Sequence, residues 1–407
     1  MLVHALVGTA AVGRAQALAR WLAPMGYQIT VIASRSAPGL RPLMTQIAGA
    51  RLVQMPDLLP ARIRNGGLSI MDLAGRARHV ARVRYDLVHA FEPRPTTVWP
   101  ALLARRRWGC PYVAECDDLW GREGIAGIRG PVWRASLGRF DDAMERFVWS
   151  HADGIAAPST DLVRRAQRGG LPHDRIRLVP VGADFEGIVP MPKVEMRSRY
   201  GVPAQAAVVV HAGSTHYDAG LLAEVFVALA RLHPDAYLLM AGGRLPSVER
   251  RLTRAGLQGR WKHVGFLPIE KLGEVLACGD VALMPYSDRP INRGRFPSRF
   301  GDYLAAGRPI ATNPTGDAGR IVQEEGVGLA FPEDAQAFAA GVCSLLEDHP
   351  KHEAMGRRAR QLAETRYSWR EMAQRMDELF RIVLGGRLKT GQGHTESPDR
   401  HRPVGLS

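Results

Sequence analysis

The stretch "RFPSRFGDYLAAGRPIATNPTGDAGRIV", residues 295–322, decides the fold. Its first half is a helix pattern, with Phe300, Tyr303 and Leu304 spaced to lie on one buried face. Gly307 is predicted to end that helix in a left-handed conformation. The apolar run "RPIATN" follows directly and is predicted to be a buried strand. A helix followed at once by such a strand is typical of a parallel α/β sheet.

The polar residues of this stretch indicate a ligand. Ser298 is predicted to cap the start of the helix. Arg295 and Arg299 flank that start, where unpaired backbone N–H groups already favour an anion. Asp302 lies one turn further, where its carboxylate can accept two hydroxyl groups of a sugar ring. Phosphates beside a vicinal diol describe a nucleotide diphosphate-sugar.

The rest of the chain alternates short apolar strands with helices in two series. The first series begins with "LVHALVG" and closes with "RIRLVPVG", and the second runs from "AVVVHAGST" to "GLAF". A composition change with Pro and Gly separates them near residues 182–200. This pattern predicts two doubly wound, Rossmann-like α/β domains that face each other across a cleft, where ligands meet the carboxyl ends of the strands.

Charge is concentrated near the start of the chain. The net charge is +14 over 407 residues, and residues 1–114 hold 15 arginines and no lysine against four acidic residues. The excess is either a solvated basic face or a surface for an anionic membrane, an anionic acceptor or nucleic acid. Nucleic acid ranks last because the basic segments lack interleaved aromatic residues.

Several classes of protein are disfavoured. No apolar stretch approaches the roughly 20 residues of a membrane span. The start "MLVHALVGTAAVGRAQALARWL" predicts a strand, a glycine loop and a helix rather than a signal peptide. Four scattered cysteines without a Cys-x-x-Cys pair predict neither disulfides nor a zinc site, and we expect a cytoplasmic protein without a metal.

Seven segments carry a further signal through their order along the chain. They are "YDLVHAFEP", "PYVAECDDLWG", "ADGIAAPSTDLVRRAQRGGLPHDRIRLVPVGAD", "DAYLLMAGG", "VGFLPIEKLGEVLACGDVALMPYSD", "LAAGRPIAT" and "RYSWREMAQRMDELFRIV". In this order they resemble the retaining glycosyltransferases of family 4 with the GT-B fold. The similarity covers most of the chain.

The resemblance implies a division of the chain and a role for each part. The expected parts are an acceptor domain at 1–182, a linker at 183–200, a donor domain at 201–365, a helix returning to the first domain at 366–387 and a disordered tail at 388–407.

On the donor side, the resemblance assigns residues by position. Arg299 matches a basic residue facing the diphosphate, and Asp302 matches the second of two family acids, which holds the ribose hydroxyls. Arg295 and Ser298 lie beside them. The remaining donor positions are the loop residues Gly213 and Ser214 and the base-binding strand end Gly265, Phe266 and Leu267.

On the acceptor side, the glycine loop from Gly8 to Gly13 matches the loop near the diphosphate and acceptor. Asp117 and Asp118 match the acidic loop of the cleft and would orient acceptor or sugar hydroxyls. The implied reaction is retaining transfer from a nucleotide diphosphate-sugar, without another cofactor, to a hydroxyl of a glycan or lipid-linked acceptor. Arg299 would stabilise the leaving diphosphate. Cell-envelope or exopolysaccharide synthesis at the inner face of the membrane fits this expectation.

Two departures from the family pattern keep alternatives open. The first family acid falls on Gly294, and a family lysine falls on Ala219, so Arg295 or Arg293 would have to supply that positive charge. A non-catalytic GT-B subunit that binds a partner enzyme is therefore a second hypothesis. Another sugar-nucleotide enzyme, such as a non-hydrolysing epimerase, is a third. A nicotinamide enzyme is disfavoured because no full glycine fingerprint follows the first strand.

Overall fold

Two separate sheets organise the chain, and the computed structural model describes residues 1–213 and 217–385. The first sheet has the spatial order β3-β4-β2-β1-β5-β6-β7-β8. Its strands are β1 (Leu2–Leu6), β2 (Ile29–Ser34), β3 (Leu43–Ile47), β4 (Ala50–Met55), β5 (Val88–Phe91), β6 (Tyr112–Glu115), β7 (Gly154–Ala157) and β8 (Ile176–Leu178). All neighbours are parallel except β3, which pairs antiparallel with β4 at the edge.

The second sheet has the order β11-β10-β9-β12-β13-β14 and is parallel throughout. Its strands are β9 (Ala207–Ala212), β10 (Ala236–Ala241), β11 (Trp261–His263), β12 (Val281–Met284), β13 (Ile310–Thr312) and β14 (Gly328–Ala330). These are the strands that the apolar runs predict. The fold class predicted from the sequence is confirmed, with one addition. The pattern does not predict β3 and β4. The strand β3 lies exposed at the sheet edge, and Arg51 and Gln54 interrupt the apolar run of the mostly buried β4.

Helices cover both faces of each sheet. Those of the first half are α1 (Ala10–Leu22), α2 (Ala61–Asn65), α3 (Ile70–Arg82), α4 (Pro95–Trp108), α5 (Ile125–Ile128), α6 (Pro131–Ala135), α7 (Leu137–His151) and α8 (Thr160–Arg168). Those that follow are α9 (Lys193–Tyr200), α10 (Ala219–Leu232), α11 (Pro246–Arg254), α12 (Ile269–Ala277), α13 (Pro290–Gly294), α14 (Ser298–Ala305), α15 (Gly316–Glu324), α16 (Ala335–Glu347), α17 (His349–Thr365) and α18 (Trp369–Val383).

The last helix crosses between the two units. The Tyr367 carbonyl accepts a hydrogen bond from the Ala183 amide at 2.6 Å, next to the connection between the sheets. The Ser368 hydroxyl then caps α18 by accepting from the Glu371 amide. Met372 and Phe380 of α18 join the apolar cluster that α1 forms on the first sheet. The limits of the domains and linker stay a prediction, and the predicted tail at 388–407 lies outside the described residues.

Both sheets reverse their strand order near the middle, and these points define where a ligand can enter. In the first sheet β1 lies between β2 and β5, and in the second β9 lies between β10 and β12. The strand interiors are buried on both faces, which is why they are almost wholly apolar. Polar side chains gather instead at the carboxyl ends of these central strands.

Candidate active site

A cleft of about 1360 Å³ lies between the two sheets. Of the predicted site residues, those lining it are Gly8, Gly13, Asp117, Asp118, Gly213, Phe266, Leu267, Arg295, Ser298, Arg299 and Asp302. Gly265 is not among the lining residues, but its carbonyl accepts a hydrogen bond of 2.8 Å from the amide of Gly242, which does line the cleft. Ser214 lies outside the described residues.

The start of α14 differs in one detail from the prediction. The helix begins at Ser298 itself, its N-cap position is Pro297, and no side chain caps it. The predicted Ser298 cap is therefore wrong, because the chain enters the helix directly after the extended Pro297, one residue earlier than expected. Gly307 follows the helix with φ +63°, as predicted. The first turn of α14, with Ser298 and Arg299, borders the cleft.

Arg299 is buried and held in place by a histidine. Its Nη1 lies 3.1 Å from His211 Nε2, and His211 Nδ1 lies 3.0 Å from the Leu283 carbonyl. Since a guanidinium only donates, Nε2 accepts and Nδ1 carries the proton. Burial and the charge of Arg299 lower the pKa of His211 to about 3, so the imidazole stays neutral.

Glycine is needed where the end of β9 passes Arg299. Gly213 has φ +120°, and a Cβ there would lie 3.3 Å from Arg299 Cζ. The neighbouring Gly242 also has positive φ, and a Cβ there would come within 2.6 Å of the Gly213 carbonyl oxygen. The predicted glycine loop of the second domain therefore lets the backbone approach the guanidinium closely.

Arg295 lies between two tyrosine rings. Its guanidinium carbon is 4.9 Å from the ring centre of Tyr217 and 5.1 Å from that of Tyr286. Its Nε donates to the Tyr286 hydroxyl at 3.0 Å, and Nη2 lies 3.5 Å from Asp218 Oδ2. Stacking and hydrogen bonding fix a planar cation at the cleft wall.

The carboxyl of Asp302 lies on the same wall, next to the connection between the domains. Burial and the charge of Asp184 raise the pKa of Asp302 to about 7, although Arg299 opposes that rise. Both aspartates line the cleft. Arg295, which precedes α14, and Arg299 and Asp302 within it thus place positive charge and an acceptor group beside the start of that helix.

The acidic loop faces this wall from the first domain. Burial raises the pKa of Asp117 to about 8, with Glu115 and Asp118 adding to the rise and Arg14 opposing it. Burial also raises the pKa of Asp118, and Arg295 across the cleft opposes that rise. Neither aspartate caps a helix, since the next helix begins at Ile125.

Buried groups support the acidic loop from below. Arg14 Nε donates to Glu115 and lies 3.2 Å from Asp117 Oδ1. His89 Nε2 lies 2.6 Å from the second Glu115 oxygen. Burial alone would raise the pKa of Glu115, but Arg14 and His89 outweigh it and lower that pKa. Glu115 is therefore ionised, and it shares the Arg14 guanidinium with Asp117, whose pKa is raised.

The sequence pattern does not single out Glu92, which also lines the cleft. Among the described residues it is the only non-glycine with positive φ, at +69°. One oxygen of its carboxyl group accepts a hydrogen bond from Trp120 Nε1 at 2.9 Å. Burial, together with Asp117 and Asp118, raises its pKa well above the usual range. Its position directly after β5, at a sheet switch point, is the signal that could have identified it.

The first-domain glycine turn is shorter than predicted. Gly8 has φ +95° in the turn after β1, but Gly13 already belongs to α1, which begins at Ala10. A Cβ at either glycine would meet no atom within 4 Å. The cleft is therefore open beside this turn.

The position of the missing family acid is part of the contact between the domains. A Cβ on Gly294 would lie 2.8 Å from Cγ and Cδ1 of the buried Leu119. The Gly294 carbonyl accepts from Ser159 Oγ at 2.5 Å. Thr160 adds two bonds across the same boundary, both to Asp317. An acidic side chain at this position has no room in the present arrangement.

Two searches over the described residues complete the description of the site. No group of three or more His, Cys, Asp or Glu side chains in that part of the chain is arranged to hold a metal ion. Within the same residues, no helix has the length and apolar character needed to span a membrane.

Comparisons with known proteins agree with this geometry. A family model described as a glycosyl transferase 4-like domain matches residues 9–182. A second, described as glycosyl transferases group 1, matches residues 206–348. Among curated proteins, the D-inositol 3-phosphate glycosyltransferase of Nocardia farcinica is 26% identical over 349 residues, which cover 79% of this chain and 72% of that protein.

Solved structures share the architecture. The sucrose-phosphate synthase of Thermosynechococcus elongatus superimposes with a TM-score of 0.76 at 19% identity, covering 94% of this chain and 96% of that one. HepE of Anabaena, solved in complex with UDP and glucose, superimposes with a TM-score of 0.69 at 17% identity, covering 94% and 100%. Because the two family models together span most of the chain, the protein belongs to the group 1 glycosyltransferases and has their GT-B fold.

Proposed function

We propose that the protein is a retaining glycosyltransferase that moves a sugar from a nucleotide diphosphate-sugar to a hydroxyl of a glycan or glycolipid acceptor. One observation carries this proposal. Arg295, Arg299 and Asp302 lie around the first turn of α14 on one wall of the cleft, and Asp117 and Asp118 lie on the other. The first group suits a diphosphate and a ribose, and the second suits sugar or acceptor hydroxyls.

In this proposal the sugar–phosphate bond breaks and the diphosphate leaves with its electron pair. Arg295, Arg299 and the amides at the start of α14 stabilise the developing charge in a partly water-excluded site. The acceptor hydroxyl forms the new bond from the face that the diphosphate leaves, and its proton passes to a leaving phosphate oxygen. The nucleotide-sugar is the co-substrate, and the proposal requires no further cofactor.

Phe266 supports a place for the base. Its side chain is 77% exposed at the cleft rim, where an aromatic ring can stack on a nucleobase. HepE was solved with UDP and glucose, so UDP-sugars are the first donors to test.

The acceptor and the location follow from charge. The curated relative is named for inositol 3-phosphate, an anionic molecule. The arginine excess of residues 1–114 favours a similar anionic or lipid-linked acceptor here. We therefore place the protein in the cytoplasm, peripherally at the inner face of the membrane, in cell-envelope or exopolysaccharide synthesis.

A thermal-shift screen with UDP-, GDP-, ADP- and dTDP-sugars tests the donor part. A ligand that binds the folded state raises the melting temperature, and the Arg299→Ala and Asp302→Ala variants should lose that shift. Proton NMR of the first product then tests retention, because the anomeric configuration of the transferred sugar should match that of the donor. A well-folded protein that shifts with none of the donors would favour the non-catalytic subunit.

A further inference from the structure

One aspartate of the donor-side domain forgoes a contact that its position offers. Asp218 stands at the N-cap of α10, yet its side chain accepts no hydrogen bond from the first turn of that helix. An aspartate at this position usually caps the helix by such a bond. Asp218 is also only 7% exposed, and a buried carboxylate needs hydrogen-bond partners. The partners that it has instead indicate what the residue does.

Those partners lie on the segment that follows β12. Asp218 Oδ1 accepts hydrogen bonds from the Ser287 amide at 3.1 Å, the Ser287 hydroxyl at 2.5 Å and Asn292 Nδ2 at 3.1 Å. Ser287 and Asn292 are both buried, and the same segment leads through α13 to Arg295. Asp218 thus ties the start of α10 to the part of the chain that brings this arginine to the cleft.

The second carboxylate oxygen faces Arg295 itself. Oδ2 of Asp218 lies 3.5 Å from Nη2, while Nε donates to the Tyr286 hydroxyl and the guanidinium lies between the Tyr217 and Tyr286 rings. Within residues 1–213 and 217–385, the third guanidinium nitrogen, Nη1, makes no hydrogen bond. Because a guanidinium only donates, Nη1 is left to bind an anion in the cleft that Arg295 lines.

Arg295 faces a different part of the cleft from Arg299. The charge of Arg295 opposes the rise in the pKa of Asp118, so it acts across the cleft on the acidic loop. Burial and Asp118 raise the pKa of Tyr217, and Arg295 opposes that rise too. Arg299 instead acts on Asp302, which lies next to the connection between the domains. Of the two arginines, Arg295 is therefore the one directed at the acidic loop.

We propose that Asp218 is a positioning residue, which orients Arg295 so that Nη1 binds the phosphate attached to the transferred sugar. This assignment rests on the proposed function, in which the acidic loop meets the sugar and the diphosphate lies along the opposite wall. A hydrogen-bond donor that is fixed beforehand stabilises the charge that develops on the leaving phosphate without first having to reorient. One carboxylate performs both tasks, because Oδ1 holds the segment and Oδ2 orients the arginine.

The test is calorimetric titration of UDP, GDP, ADP and dTDP, each compared with its nucleoside monophosphate, which lacks the phosphate nearest the sugar. We expect one diphosphate to bind the wild type at least about tenfold more tightly than its monophosphate. Asp218→Asn keeps an oxygen for Ser287 and Asn292 but turns an amide group towards Arg295. It should weaken diphosphate binding about three- to tenfold and change monophosphate binding less than about twofold.

The decisive comparison uses the Arg295→Ala background. If Asp218 acts through Arg295, adding Asp218→Asn to Arg295→Ala should change diphosphate binding less than about twofold, because the two losses are then not additive. Additive losses, equal losses of mono- and diphosphate binding, or unchanged binding in Asp218→Asn would each overturn the inference. Should Asp218→Asn not fold, Tyr217→Leu removes one ring beside Arg295 and leaves the carboxylate in place. That variant should show the same selective loss of diphosphate binding, and unchanged binding would overturn the inference.

Asp288→Asn is the matched control. Asp288 follows Ser287 directly, but it is exposed, pairs with Arg293 and does not line the cleft. The variant should bind every nucleotide like the wild type. A wild type that binds none of the diphosphates would contradict the proposed function and this inference together. Normal wild-type binding without the expected differences between variants would contradict the inference alone.

Discussion

At the residue scale, Asp302 combines an expected contact to ribose with a raised pKa of about 7, caused by burial and by Asp184. Ribose hydroxyls donate to the ionised carboxylate, so donor binding should favour that form. We predict that donor affinity falls by up to about tenfold per pH unit below pH 7 and levels off above it. Calorimetric titration from pH 5.5 to 8.5 measures this. Asp302→Asn should bind more weakly and lose the pH dependence; parallel profiles for the two proteins would contradict the assignment.

Glu92 makes a prediction about stability. Its pKa is raised, so the folded state keeps a proton that the unfolded state releases above its ordinary pKa. Stability is therefore lost as pH rises from the ordinary pKa of Glu92 in the unfolded state towards its raised pKa in the folded state, and Glu92→Gln removes this loss. We expect the variant to gain about 1 kcal/mol or more in unfolding free energy at pH 8, and less at pH 5. Urea unfolding at both pH values measures it, with the exposed Glu195→Gln as a control expected to change little.

The site residues that can be identified from the sequence alone are those that lie in a recognisable sequence pattern. Arg299 and Asp302 stand in a helix whose pattern and glycine end are visible in the sequence. No such pattern surrounds Glu92, because its strained backbone and its hydrogen bond to Trp120 arise only when β5 and the acidic loop come together. The support of Arg299 by His211 is likewise a contact between distant segments.

At the element scale, the end of β9 depends on glycine. Gly213→Ala places a Cβ against Arg299 at a φ that side chains rarely adopt. We predict a loss of about 1–3 kcal/mol in stability and a weaker donor-induced thermal shift, because the guanidinium must move. Gly220→Ala, within α10 and with no atom within 4 Å of its Cβ, is the matched control. It should stabilise by about 0.5–1 kcal/mol. Equal effects of the two substitutions on unfolding in urea would count against this account.

Most elements are predictable because buried parallel strands are continuous apolar runs bounded by Gly, Pro or polar residues. The two strands at the edge of the first sheet are not. All but the last residue of β3 are exposed, so neither burial nor alternation marks it in the sequence. The start of α1 is also earlier than predicted, because Gly13 is tolerated in the first turns of the helix.

At the scale of the whole molecule, the contact between the domains occupies the place of a family acid. Gly294→Glu restores that acid, yet its Cβ would press on Leu119. We predict a loss of about 1–3 kcal/mol in stability and no gain in donor affinity. A Leu119→Ala/Gly294→Glu double variant should be more stable than the sum of the single effects predicts, because the smaller side chain makes room. Urea unfolding and donor titration decide; a tighter donor complex in Gly294→Glu would show that the acid fits.

The two domains face each other because the strand order of each sheet places its switch point at the same cleft. What the sequence cannot supply is which pairs meet across it. The sequence brings Asp118 and Arg295 together only through the packing of α8 against α13 and α15, which the apolar patterns do not specify.

The most direct measurement is calorimetric titration of a nucleotide-sugar donor into the wild type, Arg299→Ala and Arg293→Ala. Arg293 lies only five residues before the start of α14 but is exposed, pairs with Asp288 and does not line the cleft. We predict that Arg299→Ala weakens binding at least about tenfold, as expected for a lost charge-assisted bond to phosphate, and that Arg293→Ala binds like the wild type. Equal binding by all three proteins would contradict the donor site described for this cleft.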